Sequence, residues 1–322
     1  MLDANSKEYD ENTKNMIRRK VELMEKSKVY FTKDTGSKSL VRLYEALGKE
    51  LTGNVAVKLH SGEKGNQNFL RPEFVKPIID KVNGTVVECN TAYGHDMGGH
   101  RFNTESHRRV LKEHGWTENF DVDILDAEGP DLVLDVPNGK ILKENYVGKD
   151  IDKYGSLLVL SHFKGHPMGG FGGALKQLSI GVASSDGKCW IHSTGKSKDM
   201  KDCWEIPIEH DEFLEAMADA AQTVHNYFKD HVVYINALVN LSVDCDCCHV
   251  AEDPCMKDIG IMISTDPVAI DQACLDMVYN STDPGRDHLV ERIESRNGRH
   301  TVDAAAALGF GTKEYELIDI DK

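Results

Sequence analysis

The chain predicts an α/β fold, a largely parallel sheet flanked by helices, with its ligand site outside the carboxyl ends of the strands. Two observations carry this expectation. Short β-rich apolar runs alternate with helix-length amphipathic segments along most of the sequence. The residues able to bind protons, anions or metals gather directly after three of the apolar runs, where ligands collect in open α/β sheets.

Each element has its own signal. Residues 1–27 form a polar extension whose amphipathic stretch "MIRRKVELMEK" predicts a peripheral helix, and a single α/β domain is expected over 28–322. "KVYF" (28–31) opens it as a strand. "SLVRLYEALGKEL" (39–51) sets Leu40, Leu43, Tyr44, Leu47 and Leu51 on one helical face. "NVAVKLH" (54–60) reads as a buried strand, "PEFVKPIIDKV" (72–82) as a helix opened by proline, and "TVVECN" (85–90) as the next strand. "TESHRRVLKEHGW" is helical and "VDILDA" extended. "SLLVLSH" (156–162), the helix 211–230 and the long strand 231–243 follow, then "IGIMIS" (259–264). "DPVAIDQACLDMVYN" (266–280) closes the pattern as a helix with Asp266 as cap and Pro267 in its first turn.

Composition narrows the function. Of 322 residues 40% are hydrophobic and 28% charged, the balance of a globular protein. A net charge of −15 repels phosphate backbones, so nucleic acid is not the expected partner. The amino terminus has no apolar core of signal-peptide length and no stretch has the length of a membrane span, so the cytoplasm is the expected compartment and a small molecule the expected partner. The eight cysteines then read as thiols or metal ligands rather than disulfides.

Two constellations carry chemistry. "SHFKGHPMGGFGGALKQLSIG" (161–181) is rich in glycine, histidine and lysine but matches neither a dinucleotide fingerprint nor a phosphate-binding P-loop. Gly169, Gly170, Gly172 and Gly173 let a cofactor approach the backbone, with Lys176 as a point charge for phosphate or an amine for covalent attachment. The plainer alternative is a tight turn followed by a surface lysine. "DCDCCHVAEDPC" (244–255) holds Cys245, Cys247, Cys248 and Cys255, close enough in sequence to share a zinc ion or an iron–sulfur cluster. Their spacing matches no standard metal motif, so buried small residues and solvent thiols stay open as the alternative. His60, His95, His100, His162, His166 and His192 stand at segment ends, where imidazole serves acid–base or metal chemistry.

"VAVKLHSGEKGNQNFLRPEFV", "LSHFKGHPMGGFGGALKQLSIG", "DCDC" and "DIGIMISTDPVAIDQACLD" resemble, in that order, the iron–sulfur-centre proteins grouped as domain of unknown function 362. Many members carry a two-cluster ferredoxin cassette after the glycine-rich segment; here only "WIHSTGKSKDMKD" separates Cys189 from Cys203. A more distant resemblance is to the nickel-dependent lactate racemases, whose His, Lys and His spacing matches His166, Lys176 and His192, while "GGHR" supplies His100. That resemblance implies proton exchange by His100 and His166, a nickel pincer nucleotide anchored at Lys176, and nickel ligation by His192. The expected function is a metal-binding enzyme moving a proton or hydride on a small hydroxy- or carboxylate-bearing substrate, racemase- or epimerase-like. An iron–sulfur redox or electron-transfer protein and a non-catalytic anion- or cofactor-binding protein are the alternatives.

Overall fold

The computed structural model describes residues 26–322. The helix expected over "MIRRKVELMEK" (16–26) lies, but for Lys26, outside the described residues. The described chain opens with β1 (Ser27–Thr32), α1 (Lys38–Leu47), β2 (Val55–Lys58), α2 (Pro72–Val82) and β3 (Gly84–Glu88). Next come α3 (Thr104–Glu113), α4 (Trp116–Asn119), β4 (Val122–Ile124), and the hairpin β5 (Leu132–Asp135) with β6 (Glu144–Val147). The central strand β7 (Ser156–His162) leads into a second hairpin, β8 (Lys164–His166) and β9 (Gly170–Gly172), then α5 (Ala174–Ser179), α6 (Ser185–His192) and α7 (His210–Phe228). The rest is β10 (Val232–Leu238), β11 (Gly260–Ser264), α8 (Pro267–Tyr279), α9 (Arg286–Ser295), α10 (Arg299–Leu308) and β12 (Tyr315–Asp319).

Eight strands form one sheet in the order β12-β1-β11-β10-β7-β2-β3-β4. Only β11 runs against its neighbours; every other pair is parallel. The expected α/β class is therefore what the chain forms. Alternation along the strands divides two apolar layers. Val55, Val57, Leu158 and Leu160 face Leu40, Leu43, Ile78 and Trp116 on one side. Ala56, Leu157, Val159 and Tyr234 face Leu175, Ala221 and Ile270 on the other.

Local chemistry sets the ends. Asp266 accepts from the Val268 and Ala269 N–H groups, which caps α8 with Pro267 in its first turn. Gly48, at φ +67°, stops α1 short of the expected Leu51. The strand expected to continue to Val243 ends at Leu238, because Asn240 turns left-handed at φ +48°. Both hairpins, α6, α9, α10 and β12 are further elements that periodicity did not single out. No helix among the described residues is long and apolar enough to cross a membrane.

Candidate functional site

The strand order creates a crevice. From β2 the chain moves outward through β3 to β4, whereas β7 lies on the other side of β2 and leads to β10. Connections thus leave β2 and β7 in opposite directions, and between their carboxyl ends the sheet cannot cover itself. A cavity of about 220 Å³ opens there. Lys58, His60 and Glu88 line it from the ends of β2 and β3, His166 from β8, Lys176 and Gln177 from α5, and Lys188 and His192 from α6. Cys247, Arg101 and Trp204 complete its polar and aromatic walls.

The cysteine motif reaches this cavity because of the residue between its thiols. Asp246 is wholly buried, with His162 Nδ1 at 2.9 Å and Lys164 Nζ at 3.0 Å. Burial alone would raise its carboxyl, but His162 and Lys164 overcome that and hold it far below the usual range. With the turn pinned, one ligand atom each of Cys245, Cys247 and His166 come within 4.8 Å of one another, a group able to hold a metal ion. Burial and the adjacent Cys247 thiol push Cys245 up to about 11. Cys247 is drawn down by Cys245, but the Cys248 thiol and burial carry it up to about 12. His166 Nδ1 accepts from the Met168 and Gly169 N–H groups at 3.1 and 2.8 Å, which leaves the ring proton on Nε2, 3.8 Å from Cys247 Sγ. Burial and then Lys176 lower this imidazole to about 4.

The opposite wall holds polar groups without partners. His192 is buried against Phe213 and Trp204, with ring centroids at 4.8 and 4.7 Å, and its Nδ1 has no hydrogen bond. Burial, then Lys176 and Lys188, lower it to about 3. The Gln177 amide nitrogen is likewise buried and unpartnered. A buried donor left in that state costs about 1–3 kcal/mol. Lys176 forms no ion pair or side-chain hydrogen bond among the described residues.

A buried ionic lattice closes the inner end. Lys58 Nζ lies 2.6 Å from Glu88 Oε2, and both side chains are almost fully buried. Arg101 reaches Glu63 at 3.2 Å and Glu88 at 3.5 Å. Burial would raise Glu88, yet Lys58 and Arg101 hold it at about 2.

The sequence-derived candidates divide accordingly. His166, Lys176, His192 and Cys247 line the cavity and Cys245 lies beside it. His100 does not line it. Its ring is part-exposed against His95, with Nδ1 donating to the Gly98 carbonyl, and the neighbouring Arg101 faces inward instead. Cys248 stands outside the converging trio, and Cys255 turns away, its thiol donating to the Leu241 carbonyl. The four cysteines therefore do not converge as an iron–sulfur ligand set. Nor do the four glycines line the cavity. A Cβ on Gly170 would lie 2.7 Å from Gly298 Cα, and one on Gly173 would lie 2.4 Å from Asp271 Oδ1. Close packing of protein on protein explains those glycines. The four glycines therefore offer no backbone cradle for a nucleotide-derived cofactor in this cavity. Lys58, Glu88, Arg101, Gln177 and Lys188 are site residues that sequence reasoning missed.

Among solved structures, the chain is similar to the lactate racemase apoprotein from Thermoanaerobacterium thermosaccharolyticum, at 12% identity and a TM-score of 0.41 over 65% of this chain and 50% of that one. It is also similar to a structural-genomics protein from Thermotoga maritima, at 11% identity and a TM-score of 0.37 over 84% of this chain and 58% of that one. The chain thus spans only about half the length of these structures. Comparison with curated proteins gave no match. Residues 55–276, well over half of the chain, match the family described as Domain of unknown function (DUF362), and the chain belongs to that family.

Proposed function

We propose that this chain is an enzyme that moves a proton on a small hydroxy- or carboxylate-bearing molecule, in the manner of a racemase or epimerase, with one metal ion held by His166, Cys245 and Cys247. The observation that carries the reading is convergence. A part-buried thiol with a buried one beside it, two buried neutral imidazoles and a lysine without an ion pair meet at one cavity at the sheet's switch point. Two sulfurs and one nitrogen suit a thiolate-binding divalent ion, which would polarise a substrate oxygen.

The chain's own residues would do the rest. His192 supplies the base, since it lines the cavity, makes no hydrogen bond among the described residues and has a ring neutral at pH 7. An anion in the cavity would raise this imidazole from about 3 toward the working range, so the base strengthens when substrate is present. Burial by Trp204 and Phe213 keeps water from the ring. His166 would ligate through Nε2 by giving up the proton it carries there, while Nδ1 keeps accepting from the Met168 and Gly169 N–H groups. Loading the site would release that proton with those of both thiols, so metal affinity falls steeply as pH is lowered.

Elemental analysis of anaerobically purified protein tests the metal. About one ion per chain is expected in the wild type and in Cys255→Ser, and none in Cys247→Ser. Incubation with a panel of 2-hydroxy carboxylates in D₂O, followed by NMR, tests proton transfer: deuterium should appear at C2, and not in His192→Gln. Absence of metal together with absence of exchange overturns the proposal. Metal bound equally through Cys255 would favour an iron–sulfur or electron-transfer role, and anion binding without exchange a binding protein.

A further inference from the structure

We infer that Lys176 and Gln177, adjacent on α5, form the subsite that takes a single carboxylate of the cavity's ligand. The inference rests on the cavity described above and deepens the proposed function by assigning one wall to the ligand's head group.

Charge balance around the cavity fixes the ligand's charge. Lys58, Arg101, Lys164, Lys176 and Lys188 are five cations, and Glu63, Glu88, Asp126 and Asp246 are four carboxylates. Lys58 pairs with Glu88, Arg101 with Glu63, and Lys164 with Asp246. Lys188 donates to the Ala183 carbonyl and forms no ion pair among the described residues, while Asp126 accepts from the Asn90 and Ser185 N–H groups. Five cations against four carboxylates leave one positive charge in excess, and Lys176, with no side-chain partner among the described residues, is the place for an anion.

Gln177 is the independent observation. It lines the same cavity, is more than nine-tenths buried, and its amide nitrogen has no partner. Its carboxamide makes no hydrogen bond among the described residues. A lysine ammonium and a carboxamide free of hydrogen bonds, both lining one cavity, can each donate to one oxygen of a carboxylate. A phosphate dianion would bring one negative charge more than the cavity's excess of one positive charge. The pair is also held in place. Asp271, wholly buried, accepts from the Ala174 and Leu175 N–H groups at 2.7 and 2.9 Å, and so anchors the turn from which both side chains extend.

The test uses chelator-treated full-length protein, so that neither metal nor turnover enters. Glycolate, acetate, inorganic phosphate and the uncharged ethylene glycol are titrated while Trp204 fluorescence is followed, since that indole lines the cavity; a Trp204→Phe protein identifies its signal. Glycolate and acetate should bind in preference to phosphate, and ethylene glycol should not bind. Lys176→Met should weaken acetate binding at least tenfold, and Gln177→Glu should abolish it. Should Gln177→Glu fail to fold, acetate-induced shifts of the Gln177 side-chain amide in wild-type NMR spectra replace it. Equal affinity in wild type and Lys176→Met, preference for phosphate, or an amide signal that acetate does not move would overturn the inference. Carboxylate binding without deuterium exchange would leave the inference standing and remove the proposed reaction.

Discussion

Replacing Lys58 by methionine isolates the ionic lattice at the inner end of the cavity. The substitution keeps length and apolar packing but removes the ammonium 2.6 Å from Glu88. Glu88 sits at about 2 instead of its ordinary 4.5, which corresponds to about 3 kcal/mol of stabilisation of the ionised form. Breaking one side of a buried pair costs about 3–5 kcal/mol. Arg101 at 3.5 Å and the Ser61 backbone and hydroxyl donors at 2.9 and 2.7 Å remain, so the lower figure applies. Equilibrium urea unfolding at pH 7 should show Lys58→Met less stable by about 3 kcal/mol. Lys58→Met/Glu88→Gln, in which no charge is stranded, should recover at least half of that loss. The pH dependence has a definite sign. A depressed carboxyl contributes stability above its unfolded value and loses it as pH falls from 4.5 through about 2, so the gap between single variant and wild type should narrow in that window. A single variant within about 1 kcal/mol of wild type, or a double variant no better than the single, would refute the lattice as a source of stability.

Other substitutions probe how the site is held. Gly173→Ala pushes a methyl against Asp271 and should destabilise by about 2–4 kcal/mol, whereas Gly172→Ala, whose nearest contact is 3.5 Å, should stay within about 1 kcal/mol; thermal unfolding separates them. Asp246→Asn leaves Lys164 buried without its counter-ion, and a loss of about 3–5 kcal/mol together with loss of bound metal should appear in urea unfolding and elemental analysis. Burial raises Asp271 to about 6 against the Leu175, Asn236 and Ala174 donors. Its contribution is therefore full below its unfolded value of 3.8 and is lost as pH rises through about 6, so the wild type should lose stability across that interval more steeply than Asp271→Asn.

What the sequence displayed, and what it concealed, follows from the range of the forces involved. Strand and helix patterns around "NVAVKLH", "SLLVLSH" and "DPVAIDQ" were legible because burial on both sheet faces and the Asp266 cap act locally. The place of the cavity was legible too, since histidines follow "NVAVKLH" and "SLLVLSH" at the sheet's carboxyl edge. Thiol geometry was not. Cys247 and Cys255 look equivalent in sequence, yet only the first is drawn inward, by an aspartate whose partners lie about eighty residues earlier. The glycine loop misled for a related reason: Gly170 and Gly173 meet Gly298 and Asp271 across about one hundred residues, and a single sequence shows the glycine but not its neighbour. Lys58, Glu88 and Gln177 carried no signal at all, because each sits in an ordinary strand or helix pattern and becomes special only when buried.

The contrast between the whole chain and its cavity makes a last prediction. The protein carries a net charge of −15, while the groups around the cavity leave one positive charge in excess. A carboxylate must therefore cross a repulsive field before it meets Lys176. At 0.01 M salt the Debye length is about 30 Å and the whole surface is felt; at 0.15 M it shrinks to about 8 Å and only nearby groups count. Raising ionic strength should then speed acetate association, the reverse of the slowing expected where a site steers its ligand. Dissociation should change much less, because Lys176 and Gln177 hold the anion away from bulk counter-ions. Stopped-flow fluorescence across that salt range measures both rates. If association slows with added salt, a local cationic funnel at the mouth outweighs the global charge, and the surface around the entrance would need a different account.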